Sequence, residues 1–142
     1  IGYATMSKRV TTYTDGGARG NPGPAGIGAV VHDLSTDIVH EHKRYIGETT
    51  NNQAEYKALI MALEGALEVG ADEVECYLDS ELVVKQMKKE YKVKDPGLAK
   101  LFIQVWNLTT EFKKVTFTHV RREKNKHADR LVNEAIDEHL RR

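Results

Sequence analysis

Side chains alternate in character from Lys8 to Asp15. Val10, Thr12 and Thr14 fall on one side and Thr11, Tyr13 and Asp15 on the other, which predicts a strand rich in β-branched residues that closes on Asp15. The run GGARGNPGPAG that follows predicts a break in regular structure. Gly28–Asp33 and Ile38–Ile46 predict two further strands joined by a polar turn around Ser35–Asp37, forming an antiparallel meander. The period then changes. From about Asn52 to Val69 the apolar positions Leu59, Ala62, Leu63, Ala66 and Leu67 follow a helical repeat, and Gly70 suits the helix end. Residues 73–78 predict a fourth strand. Ser80 suits the N-cap of a short helix through about Lys88 that buries Val83, Val84 and Met87. Asp95-Pro96-Gly97 starts another helix, with a face of Leu98, Leu101, Phe102, Val105, Leu108 and Phe112. Lys114–Val120 predicts a fifth strand, and a last helix runs from about Asn125 to Leu140 on Ala128, Leu131, Val132, Ala135 and Ile136.

The predicted order is β-β-β-α-β-α-α-β-α. A meander followed by alternating helices and strands implies an α/β fold: a five-stranded mixed sheet with helices on both faces, connected by right-handed crossovers. Four acids stand out against this pattern. Asp15 and Asp79 close strands, and Glu55 and Asp129 fall in line with the apolar faces of helices. A carboxylate turned toward a core is costly unless it is paired or holds a metal. Tyr13-Thr14-Asp15 and Tyr77-Leu78-Asp79 repeat one small pattern, so neighbouring strands would set the two aspartates side by side. Like charges that close favour a neutralising cation. Oxygen ligands suit a hard divalent ion such as Mg²⁺, and no His/Cys spacing suggests zinc.

Composition narrows the setting. At 142 residues, 40% hydrophobic and 30% charged, the chain has the length and make-up of one globular domain. No apolar run approaches a membrane span, which gives the expectation of no membrane partner. Residues 1–5 (IGYAT) read as an expression or processing scar, leaving one catalytic domain over residues 6–142. The single cysteine, Cys76, alternates with Val74 and Leu78, which predicts a core thiol and suits a reducing, cytoplasmic location. Lysine plus arginine and aspartate plus glutamate both number 21, yet Val83–Lys126 holds twelve bases against four acids. A basic stretch beside an acidic cluster suits a protein that grips phosphates and also holds cations.

Four segments carry a resemblance. YTDGGARGNPGPAGIGAVV, TTNNQAEYKALIMAL, YLDSELVVKQM and REKNKHADRLVNEA resemble the signature blocks of type 1 ribonuclease H, in chain order and over nearly all of Lys8–Leu140. The resemblance implies a ribonuclease H-like fold and a monomeric endoribonuclease. Its substrate would be the RNA strand of RNA–DNA hybrids, cut with two Mg²⁺ ions, or Mn²⁺ as a substitute, to leave 5′-phosphate and 3′-hydroxyl ends. By position, Asp15, Glu55, Asp79 and Asp129 match the family's metal-binding acids. Gly16 and Gly17 resemble a loop whose backbone approaches a 2′-hydroxyl, with a tight turn as the alternative. Asn21 matches a hybrid-contacting loop residue. Asn51 and Asn52 match residues that grip bases or sugars in the minor groove, with a helix N-cap as the alternative for either.

The chain also departs from the pattern, toward a short-loop, protrusion-lacking, prokaryotic-like form. Many members carry a loop histidine before the last acid. Here His119 reads as a strand residue and His127 as helical, so Arg122 lies nearest the missing histidine's place and is expected to assist the scissile phosphate or leaving group. Only KKEYKVKDPG stands where some members insert a basic, Trp-rich protrusion, and Trp106 reads as a packing residue. Glu81 reads as a favourable charge at a helix N-terminus. A catalytically silent hybrid binder and a related DNA-cutting enzyme are the competing readings. The complete set of acids weighs against the first, and the GNPGPAG and TTNNQAE blocks weigh against the second.

Overall fold

A computed structural model describes residues 7–141, so the expected scar at residues 1–5 lies outside the described residues. Five strands, β1 (Arg9–Ala18), β2 (Gly23–Asp33), β3 (Ile38–Thr49), β4 (Glu73–Leu78) and β5 (Lys114–His119), form one sheet in the order β3-β2-β1-β4-β5. β1, β2 and β3 pair antiparallel, whereas β4 runs parallel to both β1 and β5. The helices are α1 (Asn51–Glu68), α2 (Glu81–Met87), α3 (Pro96–Thr109) and α4 (Lys126–Leu140), and a single 3₁₀ turn spans Arg122–Lys124. The predicted element order is the one observed.

Adjacent strand residues point to opposite sheet faces, and β1 shows which helix lies where. A Cβ on Gly16 would point at the Ala54 backbone of α1, and one on Gly17 would point at Val132 of α4. Those two helices therefore cover opposite faces. The main core lies on the α1 side, where Val10, Val31, Val74, Cys76 and Leu78 of the sheet meet Tyr56, Leu59 and Leu63, with Val83 of α2 and Val105 of α3 closing it. The Cys76 thiol is buried, as expected, and burial pushes its pKa up to about 12.

The glycine-rich run breaks regular structure over residues 19–22 only: β1 continues through Gly16 and Gly17 to Ala18, and β2 begins at Gly23. Asp15 thus sits inside β1 rather than at its end, and Gly16 and Gly17 form no turn. The reason is close approach. A Cβ at Gly16 would lie 2.3 Å from the Ala54 carbonyl carbon, and one at Gly28 would lie 2.6 Å from the Ala128 carbonyl oxygen. Glycine at these two positions lets α1 and α4 press their backbones onto the sheet.

A carboxylate cleft at the end of the parallel strands

The β1–β4 register aligns Tyr13 with Tyr77 and Thr14 with Leu78, so Asp15 and Asp79 come level one residue further on. The two tyrosine rings stack at 4.9 Å beneath them. β4 ends at Leu78, so on that side of β1 the Gly16 N–H lies beyond the last strand pair, Thr14 with Leu78. The Gly16 N–H donates to Glu55 Oε1 at 2.7 Å instead. That bond, with the contact the bare glycine allows, brings the first turns of α1 and their carboxylate onto the strand.

Asp15, Glu55 and Asp79 each present an oxygen within 4.8 Å of the others, and among the described residues no histidine or cysteine joins them. Asp129, in the first turn of α4, faces the same cleft of about 600 Å³ but lies outside this tight group. Burial pushes the Asp15 carboxyl up to about 7; the Glu55 hydrogen bond opposes the rise, and the Asp79 charge and the hydrogen bond and charge of Asp129 add to it. Glu55 is only 7% exposed, and burial together with Asp15 drives its pKa well above the carboxylate range. Its Oε2 is buried with no hydrogen-bond partner among the described residues. An orphaned carboxylate oxygen among other carboxylates fits a hard divalent cation: the donors are all oxygen, and positive charge offsets the burial and the repulsion that together raise both pKa values.

The other expected site residues fall around this centre. Gly16, Gly17, Asn51, Asn52 and Arg122 line the cleft with the acids. Asn21 does not; it borders an adjoining hollow with Thr50, Asn52 and Asp95. Neither N-cap alternative describes α1, because Thr50 is the cap and its hydroxyl accepts the Gln53 N–H. Asn21 Oδ1 accepts the Asn51 N–H at 3.0 Å, and Asn51 Oδ1 accepts the Ala18 N–H at 2.8 Å. The two asparagines thereby tie the β1–β2 loop to the start of α1. Arg122 sits in the 3₁₀ turn and makes no ion pair among the described residues. His119 lies on β5 as expected, although the strand ends there rather than at Val120, and it also lines the cleft beside Arg121 and Arg122. Glu81 pairs with Lys85 at 2.7 Å in the first turn of α2. Trp106 packs parallel to Phe102 but remains 40% exposed, with Lys89 Nζ 4.2 Å above its ring.

Sequence reasoning missed Arg19 and Asn125. The Arg19 guanidinium lines the cleft while bonded to Asp137 at 2.7 Å and Asn133 at 3.1 Å of α4. Asn125, 1% exposed, donates its side-chain amide to the Thr14 carbonyl at 2.7 Å. An asparagine just ahead of a helix looks like a cap in sequence, and nothing local reveals a partner 111 residues away.

The chain matches the family model described as "Reverse transcriptase-like" over residues 13–135. It is 48% identical over 131 residues to a bifunctional protein of Mycobacterium tuberculosis, covering 91% of this chain but 36% of that protein, so it spans about a third of that relative's length. The solved N-terminal ribonuclease H domain of the same protein superposes with TM-score 0.88 at 47% identity, covering 92% of this chain and 95% of that one. Ribonuclease HI of Halobacterium salinarum is 46% identical over 92% of this chain and 65% of its own length. The compost-derived LC11-RNase H1, solved in complex with an RNA/DNA hybrid, superposes with TM-score 0.86 at 52% identity, covering 92% of this chain and 99% of its own. With its sheet order, its helices on both faces and its carboxylates gathered where β4 ends beside β1, the chain belongs to the type 1 ribonuclease H family.

Proposed function

We propose that this chain is a divalent-metal-dependent endoribonuclease that hydrolyses the RNA strand of RNA–DNA hybrids, leaving 5′-phosphate and 3′-hydroxyl ends. The observation that carries the reading is the three-carboxylate cluster with its orphaned Glu55 oxygen, in a family with a relative solved on an RNA/DNA hybrid. Asp15, Glu55, Asp79 and Asp129 would hold the metal. When bound there, two Mg²⁺ ions, or Mn²⁺ in their place, would activate a water on one side of a phosphate and stabilise the leaving oxygen on the other.

The protein's own part is placement. Asp15 and Asp79 are held level by the parallel register, and Glu55 is held by the Gly16 N–H. No serine–histidine or cysteine–histidine pair is needed for a covalent step. Around the acids, Asn51 and Asn52 stand where a hybrid's minor groove would meet the protein. The Oδ1 atoms of Asn21 and Asn51 are engaged internally, which leaves their Nδ2 groups as donors toward substrate. Gly16 and Gly17 offer backbone at the cleft wall rather than in a loop, and Arg122 brings a fixed positive charge to the scissile phosphate or the leaving oxygen.

The test uses labelled RNA–DNA hybrid, double-stranded RNA and double-stranded DNA, each with Mg²⁺, Mn²⁺ or EDTA. Internal cutting of only the hybrid's RNA strand, abolished by EDTA, is expected. Asp15→Asn and Asp79→Asn are each expected to stop cutting while the chain stays folded. DNA cutting, or no metal-dependent cutting at all, overturns the proposal.

A further inference from the structure

Asn125 sits at the N-cap of α4, where an asparagine side chain ordinarily accepts an N–H from its own helix. Here it makes no capping bond. Its Nδ2 donates across the molecule to the Thr14 carbonyl at 2.7 Å, in a fully buried contact. Its own carbonyl accepts the Asp129 N–H at 3.1 Å. One residue thus joins the peptide immediately before Asp15 to the backbone of Asp129, through two hydrogen bonds, one from its side-chain amide and one to its carbonyl. Turning the amide over would set Oδ1 against the Thr14 carbonyl oxygen, two acceptors face to face, so only this orientation bonds. The cost is visible in the structure, since Asn125 Oδ1 is buried without a partner.

We propose that Asn125 is a positioning residue that sets Asp129 against Asp15 through the Thr14 carbonyl, and so governs how firmly metal is held on the Asp129 side of the cleft. This rests on the divalent-metal reading of the same site. Asp129 is the acid that most needs such a link. Asp15 and Asp79 share a strand register and Glu55 has the Gly16 N–H, whereas Asp129 meets only the Asp15 carboxyl, stays outside the 4.8 Å group and arrives on a separate helix. Groups that orient metal ligands are typically worth about 10–100-fold in metal affinity or activity.

The experiment titrates MnCl₂ alone into the purified chain by calorimetry and then measures cutting of a labelled hybrid. Asn125→Ala is compared with Gln86→Ala, which also removes a buried hydrogen bond, here from the Tyr56 hydroxyl at 2.6 Å, but away from the cleft. Asn125→Ala is expected to weaken Mn²⁺ binding about tenfold or more and to lower kcat in step, with KM for the hybrid within about twofold of the parent. Gln86→Ala is expected to lose comparable thermal stability and keep the parent's Mn²⁺ affinity. Equal Mn²⁺ affinity in Asn125→Ala and the parent, or equal weakening in both variants, overturns the assignment. Should Asn125→Ala not fold, hydrogen exchange at the Asn125 side-chain amide of the parent decides: strong protection supports the link and free exchange refutes it. A parent that neither binds Mn²⁺ nor cuts hybrid brings down the divalent-metal reading itself, a distinct result.

Discussion

Gly16 and Gly17 are adjacent, and both were expected to contact substrate, yet the structure predicts opposite outcomes for the same substitution. In Gly16→Ala the new methyl lies 2.3 Å from the carbonyl carbon and oxygen of Ala54 and 2.6 Å from the Glu55 nitrogen. All three are backbone atoms, so no side chain can turn aside. Relief requires α1 to lift from β1 by roughly 1 Å, the shortfall from ordinary carbon–carbon contact. Overpacking of this kind costs about 2–3 kcal/mol, or roughly 6–12 °C in Tm for a chain of this size. The same movement carries Glu55 away from Asp15 and Asp79, and a misplacement of about 1 Å can cost on the order of 100-fold in rate. In Gly17→Ala the methyl meets only Val132 Cγ1, at 3.8 Å, an ordinary contact. Tm should stay within about 2 °C of the parent, and any loss should appear in KM for the hybrid. Thermal unfolding followed by circular dichroism, with steady-state cutting of a labelled hybrid, measures both. If Gly16→Ala melts and cuts like the parent, the claim that bare backbone contact seats Glu55 is wrong.

Three further outcomes follow from other parts of the molecule. Burial alone would raise the Asp33 pKa, but Lys8 at 2.8 Å and the Ser35 hydroxyl and N–H hold it well below the carboxylate range. Its contribution is therefore complete above the unfolded value of about 4 and is lost as pH falls below it; Asp33→Asn should unfold about 1–3 kcal/mol more easily at neutral pH and show a flatter acid limb in Tm against pH. Replacing Lys88, Lys89, Lys92 and Lys94 by alanine should raise KM and flatten its dependence on salt, by about one unit of log–log slope for each phosphate no longer neutralised; an unchanged slope would exclude the α2–α3 turn from substrate binding. Arg122→Ala should lower turnover about tenfold or more and exceed the loss in His119→Ala, and parent-like turnover would remove Arg122 from the chemistry.

Much of this protein is legible in its sequence. Strand alternation and helical periodicity place every strand and α-helix in order, because each element buries one face and its sequence carries that period. The repeated Tyr-x-Asp pattern correctly pairs Asp15 with Asp79, since parallel neighbours in register bring equal offsets level. The glycine-rich run reads as a longer break than it is because glycine has two uses, turning a chain and letting another backbone come close, and only the position of α1 and α4 distinguishes them. The roles of Asn21, Asn51 and Asn125 are hidden for a related reason. Each looks like a cap or a free polar group locally, while its partner comes from elsewhere in the chain. Sequence by itself determined which acids exist, on which elements, and in which family's order. Tertiary structure decided how they meet: where β4 stops, the Gly16 N–H of β1 lies beyond the ladder and Glu55 takes it, because a buried N–H must find a partner, while Asn125 reaches across to the Thr14 carbonyl.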